Sequence, residues 1–180
     1  MRVAFCGASG TGKSFLASQI QDTFFGVPLC PVGSRSVTAA MGLQSAYEVD
    51  KLGLRAEFQR RLFNEKTAWE NAHDTFVTDR TVFDNLVYSE LEGFHREASE
   101  LEEVVKHMSR YTLVVVCLKA CFQDIGDDIF RKKDPEYHTR FEDLLLKLLM
   151  AHRVPFQSVT AIGKAPRAKQ VLDFVRRSRA

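Results

Sequence analysis

Eight residues near the amino terminus, Gly7-Ala8-Ser9-Gly10-Thr11-Gly12-Lys13-Ser14, have the types and spacing to hold a chain of phosphates. They match G-x-x-x-x-G-K-[ST] at every fixed position. The three glycines let the backbone curl so that successive N–H groups point inward at phosphate oxygens. A helix following the loop adds the positive end of its dipole. Lys13 is expected to reach the β- and γ-phosphates, and the Ser14 hydroxyl to ligate Mg²⁺. The alternative, a glycine-rich turn with a chance lysine, does not account for the apolar run Val3-Ala4-Phe5-Cys6 before the motif or the amphipathic stretch after it. ATP and Mg²⁺ are the expected cofactors.

A phosphate loop does not say what receives the phosphate. Three classes compete: a small kinase, a GTP switch, and an ATPase motor or AAA-type machine. A GTP switch reads guanine with N-K-x-D, which does not occur here. A motor usually ends an apolar strand in Asp-Glu, the Glu polarising water. Here the candidate strand ends Val77-Thr78-Asp79-Arg80, with Arg in the Glu position, and the chain lacks room for an AAA-type helical lid domain. These features favour a kinase.

Asp79 at the carboxyl edge of a parallel sheet is placed to ligate Mg²⁺ through water or to accept the proton of an attacking hydroxyl. The competing role is a helix N-cap for the segment beginning near Thr81. Arg80 beside it can neutralise phosphate charge. Asp84, one turn on, is a candidate for the acceptor side or a solvated helix face. Arg35 stands in the loop after the second predicted strand and is a candidate acceptor contact or an exposed loop arginine. A second charged tract carries Arg131, Lys132, Lys133 and Arg140. Phosphoryl transfer needs positive charge on the migrating group and exclusion of water. An arginine-bearing lid at about residues 123–140 would supply both, with Arg131 the first candidate and Arg140 the second. A solvated loop turned at Asp134-Pro135 is the alternative.

The phosphate loop followed by Phe76-Val77-Thr78-Asp79-Arg80-Thr81 resembles the nucleoside and nucleotide kinase superfamily, whose thymidylate and deoxynucleoside kinases carry Asp-Arg or Glu-Arg at this strand end. The tract from Asp127 to Arg140 resembles the lid of the kinase domain that phosphorylates nicotinamide riboside. Thr81 departs from the thymidylate kinase pattern by replacing its aromatic residue. The resemblance implies a three-layer α/β fold, a five-stranded parallel sheet of order 2-3-1-4-5, and a mobile lid over a single domain spanning 1–180. It also implies phosphoryl transfer to a nucleoside, a nucleotide or a modified-base hydroxyl. Some similar kinases act on hydroxymethylated pyrimidine already inside phage DNA, and such an enzyme must grip the phosphate backbone.

Several elements must position these residues. Short apolar runs alternate with amphipathic stretches, the pattern of an α/β layout. Strands are predicted at Val3–Cys6, Val27–Val32, Thr75–Thr78, Thr112–Leu118 and within Val154–Ile162. Pro28 and Pro31 confine the second to an edge. The β-branched fourth run is expected to be central. Helices are predicted from Lys13 to Phe24, near Ser36–Met41, as one long element from Asp50 to Asn71, around Phe83–Leu91, around Leu101–Met108, over Phe141–His152, and from near Pro166. In the long helix Leu54, Phe58, Leu62 and Trp69 define the inner face, leaving Gln59 and Lys66 for other faces.

The 180 residues are 45% hydrophobic and 27% charged, which fits one ordinary globular domain and excludes disordered and collagen-like classes. A formal charge of +2 does not by itself call for nucleic acid. No apolar run is long enough to cross a bilayer, and with an apolar strand starting at Arg2 no secretory leader is expected. Cys6, Cys30, Cys117 and Cys121 lack zinc-site spacing and read as buried, reduced thiols, so a cytoplasmic setting is expected. Lys164, Arg167, Lys169, Arg176, Arg177 and Arg179 crowd the C-terminal segment, either as a solvated helix face or as a contact with DNA. A homodimer is compatible with this reading.

Overall fold

The structure, a computed structural model, describes residues 1–93, 97–119 and 134–178. Four parallel strands form its sheet: β1 (Arg2–Cys6), β2 (Phe76–Asp79), β3 (Leu113–Cys117) and β4 (Phe156–Val159). Their order is β2-β1-β3-β4. β1 pairs with β2 from Arg2↔Phe76 to Phe5↔Asp79, so Asp79 ends its strand beside the phosphate loop. β3 is central, as its β-branched run predicts.

The predicted second strand at Val27–Val32 is reduced to one parallel bridge, Leu29↔Val77, on the outer edge of β2. Val77 N–H donates to the Pro28 carbonyl at 2.9 Å and Cys30 N–H donates to the Val77 carbonyl at 2.8 Å. Pro28 has no N–H to extend the ladder, and Pro31 fixes the backbone beyond it. The expected order therefore survives in space, with the edge strand too short to count.

Helices cover both faces, giving the three-layer α/β fold. They are α1 (Lys13–Thr23), α2 (Ser34–Ala40), α3 (Ala46–Lys51), α4 (Arg55–Asn71), α5 (Val82–Leu91), α6 (Ala98–Met108), α7 (Pro135–Ala151) and α8 (Lys164–Ser178). Alternate strand residues feed two cores, as period-2 side-chain geometry requires. Ala4, Cys6, Val114 and Val116 pack against α5, α6 and α7, including Phe83, Val104 and Phe141. Val3, Phe5, Val115 and Cys117 pack against Leu16 and Ile20 of α1 and Val171 of α8.

The long helix predicted from Asp50 to Asn71 is two helices. Gly53 at φ +68 breaks it, since the left-handed region terminates a helix and suits glycine. Arg55 Nε spans the break to Asp50 Oδ1 at 2.8 Å. The seventh helix begins earlier than predicted. Asp134 caps it by accepting from Glu136 N–H at 2.9 Å, and Pro135 occupies its first position, where a missing N–H costs nothing. Residues 135–140, expected to be lid, are thus helical. Cys6, Cys30 and Cys117 are buried free thiols, and Cys121 lies outside the described residues. No helix among the described residues is long and apolar enough to cross a membrane.

Candidate active site

The phosphate loop leaves the carboxyl end of β1 and turns directly into α1. Gly7 has φ +132, and a Cβ there would sit 2.3 Å from the Cys117 carbonyl oxygen, so only glycine fits between β1 and β3. Lys13 is buried and its ammonium donates to the Ala8 carbonyl at 2.6 Å and to Thr11 Oγ1 at 3.3 Å. Thr11 Oγ1 donates to the same Ala8 carbonyl at 2.9 Å. Burial, and then the charge of Arg80, lower the Lys13 pKa to about 8, with Asp79 and Asp84 opposing.

The Ser14 hydroxyl donates to Asp79 Oδ2. Asp79 is therefore not the cap of the next helix; Thr81 is, accepting from Asp84 N–H at 3.3 Å. The other Asp79 oxygen, Oδ1, is buried and has no hydrogen-bond partner among the described residues. A hydroxyl beside a carboxylate with a spare oxygen suits a hard divalent cation that takes its remaining ligands from water and phosphate.

Arg80 sits at φ +122, a backbone region that residues with a side chain rarely adopt and that costs of order 1–3 kcal/mol. Its surroundings hold it there. The guanidinium donates to the Gly7 carbonyl and to Asp84 Oδ1, each at 3.3 Å, and to Ser9 Oγ at 3.2 Å. It also lies 5.0 Å from the centroid of the Tyr88 ring. Burial opposes its charge, but Tyr88, Asp84 and Asp79 outweigh it and stabilise the cation.

Asp84 is neither a solvated residue nor an acceptor contact. It is completely buried. Oδ1 accepts from Gly7 N–H at 3.1 Å, and Oδ2 accepts from the Thr81 N–H and hydroxyl, both at 2.8 Å. All of its capacity goes into fixing the loop, the cap and Arg80.

A cleft of about 650 Å³ opens from Gly10, Lys13 and Ser14, passes Asp79 and Arg80, and ends among α2, α4, α5 and the start of α7. Its far half has Phe58, Leu62, Phe63 and Val82 on its walls together with the polar side chains of Gln59, Asn85 and Lys66. Asn85 Nδ2 donates to the Gln59 backbone carbonyl at 3.1 Å and also to Gln59 Oε1. Lys66 donates to Thr78 Oγ1 and pairs with Glu70 at 3.3 Å. Arg35 and His138 reach the same cleft.

The sequence alone does not single out Gln59, Asn85 or Lys66 and puts Gln59 and Lys66 on other faces of their helix; both are buried. The Lys66/Glu70 spacing of four was the available signal. Arg140 is exposed on α7 and does not line the cleft. It follows His138 by two positions, about 200° around a helix, and so faces away. Arg131, Lys132 and Lys133 lie outside the described residues. In the basic C-terminal segment Arg167 is buried, Arg176 pairs with Asp173 at 3.2 Å, Arg177 lies 5.3 Å over Phe174, and Arg179 lies outside the described residues.

A family model described as an AAA domain matches residues 2–165. No curated protein matches the sequence. Among solved structures, the chain is similar to deoxyadenosine kinase from M. mycoides with 12% identity and a TM-score of 0.69, covering 98% of this chain and 99% of that one. It is similar to NadR protein bound to NR with 19% identity and a TM-score of 0.69, covering 98% of this chain and 51% of that one. Thymidylate kinase from Candida albicans follows at 14% identity and a TM-score of 0.61, covering 99% and 92%. At these identities the likeness is one of fold.

Proposed function

The chain belongs to the AAA-domain family, and we propose that within it this protein is a Mg²⁺–ATP-dependent kinase that phosphorylates a hydroxyl of a nucleoside-like acceptor. The observation that carries this reading is the meeting of Ser14 and Asp79 across the mouth of the phosphate loop, with Arg80 beside them and one cleft running on past all three. A motor would need a water-polarising carboxylate after Asp79. Arg80 takes that position, and its guanidinium is tied to the loop through Gly7 and Ser9.

In this reading the loop amides and Lys13 hold the triphosphate. Ser14 would hold Mg²⁺ and Asp79 would hold it through water, and the ion would neutralise charge on the phosphates. Asp79 also lies where it can take the proton of the attacking hydroxyl. Arg80, already desolvated and fixed, stabilises charge on the transferring group. An arginine lid bearing Arg131 remains part of the proposal. In the far half of the cleft, apolar walls fit a flat ring, and the Gln59–Asn85 amide pair supplies fixed hydrogen-bonding groups for its edge. The fold shared with kinases of deoxyadenosine and thymidylate supports a base-bearing acceptor.

The test is transfer from γ-labelled ATP to a panel of nucleosides, mononucleotides and hydroxymethyl-pyrimidine duplex DNA. Labelled product from one class identifies the acceptor. ADP release at the same rate with every acceptor and with none would mean a plain ATPase.

A further inference from the structure

Arg167 stands near the start of α8, in the basic segment that the sequence offers as a solvated face or a DNA contact. It is 2% exposed. Its Nη2 donates to the backbone carbonyl of Thr11, inside the phosphate loop. A Cβ on Gly12 would lie 2.6 Å from Nη1 and 3.4 Å from Cζ, so the guanidinium rests directly on the Gly12 backbone. Arg167 Nε has no hydrogen-bond partner among the described residues. Helix α8 is held there by Ala168 and Val171, which pack in the same core as Leu16 and Ala17 of α1.

We propose that Arg167 is a positioning residue for the nucleotide: it holds the Thr11–Gly12 peptide with its carbonyl turned away from the phosphates. The inference rests on the phosphate-loop reading above. A peptide group is planar and trans, so pinning C=O toward Arg167 points the Gly12 N–H the opposite way. A loop that cradles an anion must present N–H groups and hide its carbonyls. The planar fork of arginine can both donate to the Thr11 carbonyl and lie flat on Gly12; a lysine ammonium can do only the first. Gly12 thus has two duties, its φ of +79 and the room it leaves for the guanidinium. The cation also sits behind the cradle, where little water reaches it to screen its attraction for phosphate.

The experiment is calorimetric titration of the full chain with Mg²⁺–ATP and, separately, with magnesium tripolyphosphate, which has neither base nor sugar. Arg167→Met should raise Kd for both probes by about 10-fold or more, the scale of a lost charge-assisted hydrogen bond, with binding stoichiometry unchanged. Arg167→Lys should fall between wild type and Arg167→Met, and it decides the matter alone if the methionine variant does not fold. A purely structural role would lower the stoichiometry and leave Kd alone, and that result overturns the proposal. So does weaker binding of ATP with unchanged tripolyphosphate, which would make Arg167 a contact to the base. Wild-type chain that takes up neither probe overturns the phosphate-loop reading and this inference with it; unchanged Kd in both variants against a binding wild type overturns this inference only.

Discussion

The carboxylate of Asp84, carried on α5, accepts a hydrogen bond of 3.1 Å from the backbone N–H of Gly7, the first residue of the phosphate loop. The same oxygen accepts from Arg80 at 3.3 Å. One buried anion therefore fixes the start of the cradle relative to the cation beside it, and it keeps Arg80 in its positive-φ conformation by capping the residue that follows. Asp84→Asn keeps the shape but removes the charge that balances Arg80. It should cost about 1–3 kcal/mol of stability, the range for a disrupted buried polar group. Phosphoryl transfer should fall by roughly 10²-fold, as when a positioned transition-state donor is lost. Thermal unfolding and a transfer assay check the two effects. Normal turnover in the variant would free Asp84 from any part in positioning.

Lys13 gives a pH-dependent signature. In the empty loop burial and Arg80 lower it to about 8. A bound triphosphate places negative charge beside it and restores the higher value. At pH 8 the empty protein is then partly deprotonated at Lys13, and the bound one is not, so ATP binding must take up protons from the buffer. At pH 6 the lysine is already charged and uptake should vanish. Calorimetry in buffers of different ionisation enthalpy measures this. Equal heats across buffers at pH 8 would contradict it. Lys13→Ala should bind ATP weakly and show no uptake at either pH.

Asp79→Asn separates the two jobs proposed for Asp79. If the carboxylate takes the proton of the acceptor, turnover should fall at least ~10²-fold while Mg²⁺–ATP binding changes little. If its role is to order the metal, the apparent affinity for Mg²⁺ should fall with it. Transfer rates measured across a magnesium series distinguish these. An unchanged rate at every magnesium concentration would leave Asp79 as a hydrogen-bond partner of Ser14 and nothing more.

What the sequence discloses and what it conceals follow from how local each feature is. Gly7 to Ser14 is one contiguous segment whose residue types are dictated by its own backbone, so it can be read directly. Asp79 is legible because an apolar strand must end somewhere and the charge marks the end. The sequence puts Gln59 and Lys66 on other faces of their helix and leaves Arg167 as part of a solvated face or a DNA contact, because polar residues usually lie at the surface. Two of them meet remote partners: Arg167 meets Thr11 across 156 positions and Gln59 meets Asn85 across 26, while Lys66 pairs within its own helix with Glu70, which in turn meets His107 across 37. A buried charge is stable only with its partner in place, and no local pattern shows a partner from another element. The break at Gly53 was overridden for a similar reason, since the apolar spacing continues through it.

The Glu70 cluster tests that argument. Its carboxylate is fully buried and is met by Lys66 at 3.3 Å, His107 Nε2 at 2.7 Å and the Tyr111 hydroxyl at 3.0 Å. Burial raises its pKa, but Lys66, His107 and Tyr111 together lower it below the ordinary glutamate value. A carboxyl with a lowered folded pKa adds stability that is complete above its unfolded pKa and is lost as pH falls through the folded one. Glu70→Gln should lose about 3–5 kcal/mol near neutral pH, because Lys66 is left buried without its anion. The difference from wild type should begin to shrink as pH falls below the ordinary glutamate range, and should close only once pH has passed through the lowered folded value, where the native carboxyl also becomes neutral. Denaturant unfolding across pH gives the curve, and a constant difference down to the acid limit would refute the linkage.

The amide pair on the cleft wall makes the last prediction, and it concerns the acceptor alone. Asn85 spends its Nδ2 on the Gln59 backbone carbonyl and side-chain oxygen, which fixes the Gln59 amide against the wall. Gln59 and Asn85 line the cleft together with Phe58 and Val82. A flat acceptor ring there would be held by the apolar walls and oriented by the amide. Gln59→Ala should raise the acceptor KM by about 10-fold, the cost of one oriented hydrogen bond, with the KM for ATP unchanged because Gln59 lies away from the loop. Asn85→Ala, which frees the Gln59 amide to rotate, should do the same more weakly. Two-substrate kinetics would show it, and an equal rise in both KM values would mean that the substitutions disturb the fold of the cleft and that the amide does not read the ring.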